Sequence, residues 1–282
     1  MRINDIMNHN RHYALILGAS SGFGRAAALA LADEGMNIIG VHLDRAAGLK
    51  AVEELKEELQ AKGVQAIFFN VNAADAERRR EVVESIKDHF AHQEGATIRL
   101  LMHSLAFGSL QPLVSQTEGM LTQRQIEMTI DVMANSLVYW TQSIVTENLM
   151  AKGGRIVGMT SAGSTRVLPT YGAVSAAKAA MEAYIRQFAL ELAPYGITAN
   201  TIRAGVTHTP ALSKIPGNDL IMNNAYMRNP YHRLTQPEDI ANVLKLLVKD
   251  EMQWVNGTIL GVDGGEDSVD LTWYNKQEEA VH

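Results

Sequence analysis

The chain has 282 residues and a formal charge of −6, and it contains no cysteine. This length suits a single α/β domain, and the acidic balance argues against nucleic acid as the main partner. Without cysteine the chain has neither a disulfide nor a thiolate zinc site, and we expect no bound metal. No apolar run approaches the roughly 18 residues that a membrane span needs, and the polar start at residues 1–10 lacks the apolar core of a signal peptide. We therefore expect a cytoplasmic protein with no membrane partner.

Short apolar runs alternate with helix-forming segments along the whole chain, which is the pattern of a parallel sheet covered by helices. The predicted strands are Tyr13 to Leu17, Asn37 to Leu43, Val64 to Val71, Ile98 to Met102, Arg155 to Thr160, Gly196 to Ile202 and Gly257 to Val262. The predicted helices are Arg25 to Glu34, Ala46 to Lys62, Ala74 to His92, Gln123 to Met150, Tyr171 to Ala193 and Pro237 to Lys249. This order predicts one doubly wound Rossmann-type α/β domain over residues 1–282, with a seven-stranded parallel sheet.

One segment, Ala211 to Arg233, has no strong period and carries several methionine and tyrosine residues. Such a segment after a strand of the sheet suits a mobile lid over an apolar substrate. We therefore expect a substrate lid at about residues 206–233, with a plain surface connection as the alternative.

A glycine turn joins the first predicted strand directly to the first helix, which is the context of a dinucleotide-binding fingerprint. Its first glycine permits the tight turn, the second lets a pyrophosphate approach the backbone, and the third lets helix and strand pack closely. The helix N-terminus adds free N–H groups and a positive dipole for the phosphates. The sequence therefore predicts a cofactor site that includes Gly18, Ser20, Ser21, Gly22, Phe23 and Gly24.

The end of the second strand carries both an acidic and a basic residue, Asp44 and Arg45. An acidic residue there bonds the ribose hydroxyls of NAD, whereas a basic one accommodates the 2′-phosphate of NADP. The choice between NADH and NADPH therefore stays open. An alternative also stays open, in which Asp44 merely begins the next helix and Arg45 is solvated. Asn70 and Val71, at the exit of the third strand, are expected against the adenine.

The fourth predicted strand is followed by His103 and then by Ser104, Leu105 and Ala106, in a segment that is rich in small residues. We expect the backbone of these three residues to lie under the cofactor ribose. His103 has no obvious carboxylate partner, so a structural role is favoured over that of a catalytic base.

The sixth strand is followed by a segment that offers further groups to a cofactor. Gly205 comes first, backbone groups at Val206 and Thr207 suit a carboxamide, and the hydroxyl of Thr209 suits a phosphate.

Tyr171 and Lys178 are seven residues apart on a predicted helix, so their side chains point the same way. A nearby ammonium lowers the pKa of a phenol, and the phenol can then donate to an oxygen that becomes negative during a reaction. The alternative is an exposed tyrosine and a surface lysine. Ligands bind at the carboxyl ends of parallel strands. Gly18, His103, Ser161 and Gly205 all follow such ends, which favours a functional role for the Tyr171–Lys178 pair.

Together these residues resemble the short-chain dehydrogenase/reductase family over about residues 12–268. The resemblance rests on the glycine motif, the block from Ser161 to Lys178, the segment from Asn200 to Thr209, and Val262-Asp263-Gly264-Gly265. Most members have three residues between the active-site tyrosine and lysine, whereas this chain has six, and that spacing is similar to the divergent branch, the enoyl-[acyl-carrier-protein] reductases. His103-Ser104, Ala204-Gly205 and a methionine, Met133, in place of the usual tetrad asparagine also fit that branch. Ser161 occupies the place of the serine in ordinary members and marks a subtype.

The resemblance implies reduction of the 2,3 double bond of an enoyl thioester by NADPH or NADH, within fatty-acid synthesis. Tyr171 would stabilise the enolate, Lys178 would bond the nicotinamide ribose, and Ser161 would assist the carbonyl or order Tyr171. It further implies a substrate on acyl carrier protein and a homotetramer formed through the helices at about 124–150 and 171–193. Two alternatives remain open: a carbonyl or 3-oxoacyl-thioester reductase, and a non-catalytic dinucleotide-binding sensor.

Overall fold

The computed structural model describes residues 11–117, 119–215 and 217–269. The polar start on which the cytoplasmic expectation rests lies outside these residues. Within them, seven strands form one parallel sheet in the order β3-β2-β1-β4-β5-β6-β7, which confirms the predicted fold class. The strands are β1 His12–Leu17, β2 Asn37–His42, β3 Ala66–Asn70, β4 Thr97–His103, β5 Arg155–Ser161, β6 Thr198–Ala204 and β7 Ile259–Val262.

Helices cover both faces of this sheet. They are α1 Gly22–Asp33, α2 Ala46–Ala61, α3 Ala76–Ala91, α4 Gln123–Ile130, α5 Ser136–Thr146, α6 Gly172–Glu191, α7 Asn218–Arg228 and α8 Pro237–Leu247. Among the residues that the structure describes, no helix is both long enough and apolar enough to cross a membrane.

The hydrophobic core is divided by the sheet into two layers. Along β1, Tyr13, Leu15 and Leu17 pack into the layer formed with α3, α5 and α6. The alternate residues Ala14 and Ile16 pack into the layer formed with α1, α2 and α8. Because successive side chains of a strand point to opposite faces, a strand buried on both faces reads as a continuous apolar run.

The prediction of a single long helix from Gln123 to Met150 is wrong in the middle of that range and at its end. A π-helical turn, Asp131–Asn135, separates α4 from α5, and α5 ends at Thr146. A side-chain hydrogen bond accompanies this wider turn: Asp131 accepts from the Tyr139 hydroxyl at 3.1 Å. A π turn holds one extra residue, and such turns are frequent at functional sites.

The segment expected to lack regular structure, Ala211 to Arg233, contains the helix α7. Only Ala225 of this helix is buried. The helix therefore presents no apolar stripe, and the 3.6-residue period that would predict it is missing from the sequence.

Substituting the glycine in the first turn of α1 tests how closely the cofactor turn packs. A Cβ on Gly24 would collide with the backbone carbonyl oxygen of Gly18, so Gly24→Ala should lower the free energy of unfolding by about 3 kcal/mol or prevent folding. Gly22→Ala is the control. Gly22 has a φ of +52°, but its Cβ would meet nothing nearer than a Thr209 methyl at 3.5 Å, and we expect a cost of about 1 kcal/mol. Urea denaturation measures both, and equal costs would contradict this packing.

Candidate active site

A cavity of about 370 Å³ opens at the carboxyl ends of the central strands and contains the side chain of Tyr171. Ligands of open α/β sheets bind at this edge, where the strand order reverses between β1 and β4. One wall of the cavity is apolar and is formed by Phe107, Leu110, Met133, Leu168, Val174, Ile215 and Ile221.

Tyr171 lies immediately before α6, and its ring packs against Gly163. A Cβ on Gly163 would lie 2.5 Å from the Cε1 atom of Tyr171 and 3.3 Å from the Oγ atom of Ser161. The missing side chain at this position therefore lets the phenol ring lie beside the serine. The Oγ atom of Ser161 is shielded from solvent and has no well-aligned hydrogen-bond partner in the described part of the chain, so its side chain can turn toward a ligand without giving up a strong hydrogen bond.

The ionisation of Tyr171 differs from the sequence-based expectation. Burial raises the pKa of the Tyr171 phenol, and the neighbouring Ser161 hydroxyl opposes that shift more weakly. The expected lowering of this pKa is wrong, because withdrawal from water is the largest influence on the phenol and the Ser161 hydroxyl opposes it only in part. Tyr171 is therefore a neutral hydrogen-bond donor at pH 7.

Lys178 is buried against the end of β5. Its Nζ atom donates a hydrogen bond to the backbone oxygen of Met159 at 2.6 Å. Burial lowers the pKa of Lys178 from 10.5 to about 8, while the charge of Glu182, one helical turn further on, acts to raise it. Glu182 in turn accepts a hydrogen bond from the Thr160 hydroxyl at 2.6 Å. Lys178 is thus mostly protonated at pH 7, and its ammonium group is fixed to the strand.

His103 is enclosed in the core, as a structural role requires. Its Nε2 atom lies 2.8 Å from the Ser136 hydroxyl, which donates to the backbone oxygen of Val132 at 2.8 Å. Burial, with a smaller contribution from the charge of Lys178, lowers the pKa of His103 to about 3, so the ring is neutral.

The position of the usual tetrad asparagine is occupied by Met133, which is buried and lines the cavity. Asn135 faces elsewhere, as expected, because its Oδ1 atom accepts a hydrogen bond from the Tyr184 hydroxyl at 2.9 Å.

The predicted cofactor residues at the ends of β1 and β4 lie together. The Ser104 N–H donates to the backbone oxygen of Leu17 at 2.9 Å, and a Cβ on Gly18 would strike the Ser104 carbonyl oxygen and lie 3.4 Å from Leu105. Phe23 and Ala106 line the cavity, whereas Ser20 and Ser21 form the turn before α1.

The start of α1 fits a dinucleotide diphosphate. The Ser21 side chain makes no capping hydrogen bond, so the first N–H groups of the helix are available to an anion. A Cβ atom added to Gly22 would have Thr209 as its nearest neighbour. Thr209 therefore lies beside the start of α1.

The ends of β2 and β3 hold Asp44 firmly. Its Oδ2 atom lies 2.9 Å from the Nδ1 atom of His42, and the Asn70 side chain bonds both its backbone N–H and its backbone oxygen, at 3.0 and 2.9 Å. Val71 donates to the backbone oxygen of His42 at 2.8 Å, and Arg45 is exposed. Asp44 suits the ribose hydroxyls of NADH, and the exposed Arg45 suits the 2′-phosphate of NADPH. The structure therefore leaves both cofactors open.

The segment after β6 also reaches the cavity. The Thr207 hydroxyl donates to the backbone oxygen of Gly205 at 3.0 Å, and Thr209 accepts from the Leu212 N–H at 3.2 Å. The Val206 N–H, expected to meet a carboxamide, donates to the carboxylate of Glu266 at 3.0 Å.

The sequence analysis missed a group of charged residues on the second wall of the cavity. Its members are Arg166, Arg203, Arg228, Glu266 and Asp267, joined by three ion pairs of 2.6 to 3.3 Å. No local sequence pattern indicates these ion pairs, because the two residues of each pair are distant in the chain.

Comparison with known families agrees with this geometry. A family model described as Enoyl-(Acyl carrier protein) reductase matches residues 18–266. The chain belongs to the short-chain dehydrogenase/reductase family. It is an oxidoreductase of this family, and the family expected from the sequence is confirmed.

Two relatives illustrate the range of the family. The chain is 30% identical over 273 residues to 1-cyclohexenylcarbonyl-CoA reductase of Streptomyces collinus. The alignment covers 96% of this chain and 92% of that protein. It is 27% identical over 251 residues to the 3-oxoacyl-[acyl-carrier-protein] reductase FabG of Thermotoga maritima, which covers 89% of this chain and 96% of that protein. The specific substrate therefore does not follow from family membership.

Solved structures share the fold. Enoyl-[acyl-carrier-protein] reductase (NADH) of Aquifex aeolicus matches with a TM-score of 0.80 at 21% identity, over 93% of this chain and 98% of that one. A short-chain dehydrogenase of Burkholderia cenocepacia in complex with NADP matches with a TM-score of 0.78 at 25% identity, over 93% and 100%. As a member of this family, the chain binds a nicotinamide dinucleotide, NADH or NADPH.

Replacing the buried lysine tests its protonation. The unfolded chain holds the Lys178 proton up to about pH 10.5, and the folded chain releases it near pH 8. The free energy of unfolding should therefore rise by about 3 kcal/mol between pH 8 and 10.5 through this residue alone. Lys178→Met should remove that rise. Lys50→Met is the control, because the Lys50 side chain is 88% exposed. Urea denaturation at several pH values gives the result, and parallel curves for wild type and Lys178→Met would contradict the burial of a titrating lysine.

Proposed function

We propose that the protein reduces the 2,3 double bond of an enoyl thioester. The observation that carries this proposal is geometric: the Tyr171 ring lies beside the Ser161 hydroxyl in a cavity with an apolar wall. Two adjacent donors suit a carbonyl oxygen that gains negative charge, and the apolar wall suits an acyl group. The six residues between Tyr171 and Lys178 favour the enoyl branch of the family.

When bound, a nicotinamide dinucleotide would supply the hydride that adds to the β-carbon of the thioester, and a proton from water would complete the reduction at the α-carbon. Tyr171 donates a hydrogen bond to the carbonyl oxygen, which becomes an enolate oxygen, and Ser161 supplies a second donor. The Lys178 ammonium, fixed by the backbone oxygen of Met159, keeps the local potential positive and offers a hydrogen bond to the nicotinamide ribose. Each such donor is worth roughly 3 to 4 kcal/mol of transition-state stabilisation.

Reduction of a 3-oxoacyl thioester or another carbonyl is the second candidate. It is favoured by Ser161, which stands where ordinary members of the family carry their catalytic serine, and by the 3-oxoacyl reductase among the relatives. In that reaction Tyr171 would give its proton to an alkoxide.

We also propose that the thioester is carried by acyl carrier protein or coenzyme A, and that the chain forms a homotetramer. A groove between α5 and α6, lined by Val138, Val145, Tyr184, Phe188 and Leu192, supports an interface on these two helices.

A pair of short thioesters separates the two reductions. We expect crotonyl-CoA to be reduced with NADH or NADPH, with a kcat/KM at least about tenfold above that for acetoacetyl-CoA. Oxidation of the cofactor, followed at 340 nm, measures both rates. Turnover of acetoacetyl-CoA alone would replace the proposed function by the second candidate, and cofactor binding without turnover of either would favour a sensor.

Removal of the Tyr171 hydroxyl tests its role as the oxyanion donor. Tyr171→Phe should lower kcat for crotonyl-CoA by about 100- to 1,000-fold with little change in KM, since the hydrogen bond strengthens only as charge develops. Tyr195→Phe is the matched control, because Tyr195 is 60% exposed. A Tyr171→Phe enzyme that keeps most of its kcat would contradict the assignment.

A further inference from the structure

The cavity that holds Tyr171 has a second wall that the reduction of a plain alkyl chain does not explain. We call Arg166, Arg203, Arg228, Glu266 and Asp267 the ionic wall; all five line the same cavity as the apolar residues. An alkyl group placed here would cover these charges and offer them no hydrogen bond, which is unfavourable.

The guanidinium groups of the ionic wall are incompletely paired. Asp267 serves two of them, because its Oδ1 atom lies 2.6 Å from Arg166 and its Oδ2 atom lies 3.3 Å from Arg203. The contact to Arg166 is short but poorly aligned, and Oδ1 has no well-directed hydrogen bond. The Nε atoms of Arg203 and Arg228 are shielded from solvent and lack a partner within the described ranges, so the cluster is not fully satisfied. The Arg166 and Arg203 side chains are 37% and 28% exposed, and this exposed part is what a ligand can reach.

The neighbouring carboxylates are largely engaged by the backbone. Asp263 also lines the cavity, but it accepts from the N–H groups of Gly265 and Asp267, at 2.9 and 3.3 Å. Glu266 accepts from the N–H of Val206 and pairs with Arg228 at 3.3 Å. The arginine donors are thus left with fewer carboxylate oxygens than they can engage.

The ionic wall and the two proposed donors belong to one cavity. In the sheet, Arg203 is paired with Thr160, the residue that precedes Ser161, and Arg203, Ser161 and Tyr171 all line the cavity. An acyl chain whose carbonyl meets Ser161 and Tyr171 can therefore extend within this cavity toward the Arg203 guanidinium.

From these observations we propose that the acyl group of the substrate carries a carboxylate, which Arg203 and Arg166 bind while the enoyl carbons lie against the apolar wall. Guanidinium groups bind carboxylates by paired, charge-assisted hydrogen bonds. A site built around such donors rejects an analogue that lacks the acceptor, because its buried donors stay unpaired. This inference rests on the proposed function, and it names the substrate as a dicarboxylic enoyl thioester.

The test compares two thioesters of equal length, trans-2-hexenoyl-CoA and trans-2-hexenedioyl-CoA, which differ only in a terminal methyl or carboxylate. We expect the wild-type enzyme to favour the carboxylate by about 10- to 100-fold in kcat/KM, the range that charged hydrogen bonds provide. Equal values, or a preference for hexenoyl-CoA, would overturn the inference while leaving the proposed function intact. If neither thioester is reduced, the proposed function itself fails.

Variants then locate the preference. Arg203→Gln should reduce the carboxylate preference at least about tenfold, and Asp267→Asn should increase it, because it frees both arginines from their partner. Arg80→Gln is the control, since that side chain is 71% exposed on α3 and should leave the ratio unchanged. An Arg203→Gln enzyme that loses activity equally on both thioesters would assign the arginines to the phosphates of the carrier arm and overturn the proposal.

Discussion

One hydrogen bond fastens the reactive helix to the sheet, and the geometry of the site depends on it. The Lys178 ammonium donates to the Met159 carbonyl at 2.6 Å, two residues before the end of β5. That strand end also delivers Ser161, and the glycine at position 163 lets the Tyr171 ring lie beside it. A buried ammonium must have partners, so the contact that satisfies Lys178 also holds α6 against the end of β5, together with the Thr160–Glu182 hydrogen bond.

Burial then decides the chemistry of the two groups. It raises the pKa of Tyr171 and lowers that of Lys178. Near neutral pH the phenol therefore keeps its proton, and the ammonium form of Lys178 is only moderately favoured over the neutral amine. A neutral phenol donates hydrogen bonds, whereas a phenolate would accept them. The site is therefore suited to stabilising an oxygen that becomes negative, which enoyl and carbonyl reductions share. The walls of the cavity must distinguish between substrates.

The parts of this account that could be predicted from sequence are those with a local signature. Apolar runs bounded by glycine marked the strands, and a glycine turn before an alanine-rich helix marked the cofactor edge. The π turn at Asp131–Asn135 could not be predicted, since one extra residue leaves an apolar helix pattern nearly unchanged. The ion pairs of Asp267 and Glu266 join residues distant in the chain, so no spacing reveals them. The raised pKa of Tyr171 depends on packing around its ring, which composition and period do not describe.

The most direct measurement of the central claim is the ionisation of Tyr171 itself. Protein labelled with ¹³C at the tyrosine Cζ position can be titrated by NMR, and the Tyr171 resonance is identified by its loss in Tyr171→Phe. If burial keeps the phenol protonated as a donor, the midpoint of this titration will lie above pH 10, the ordinary value for tyrosine. A midpoint well below pH 10 would show that the ammonium outweighs burial, and would contradict the neutral-donor account.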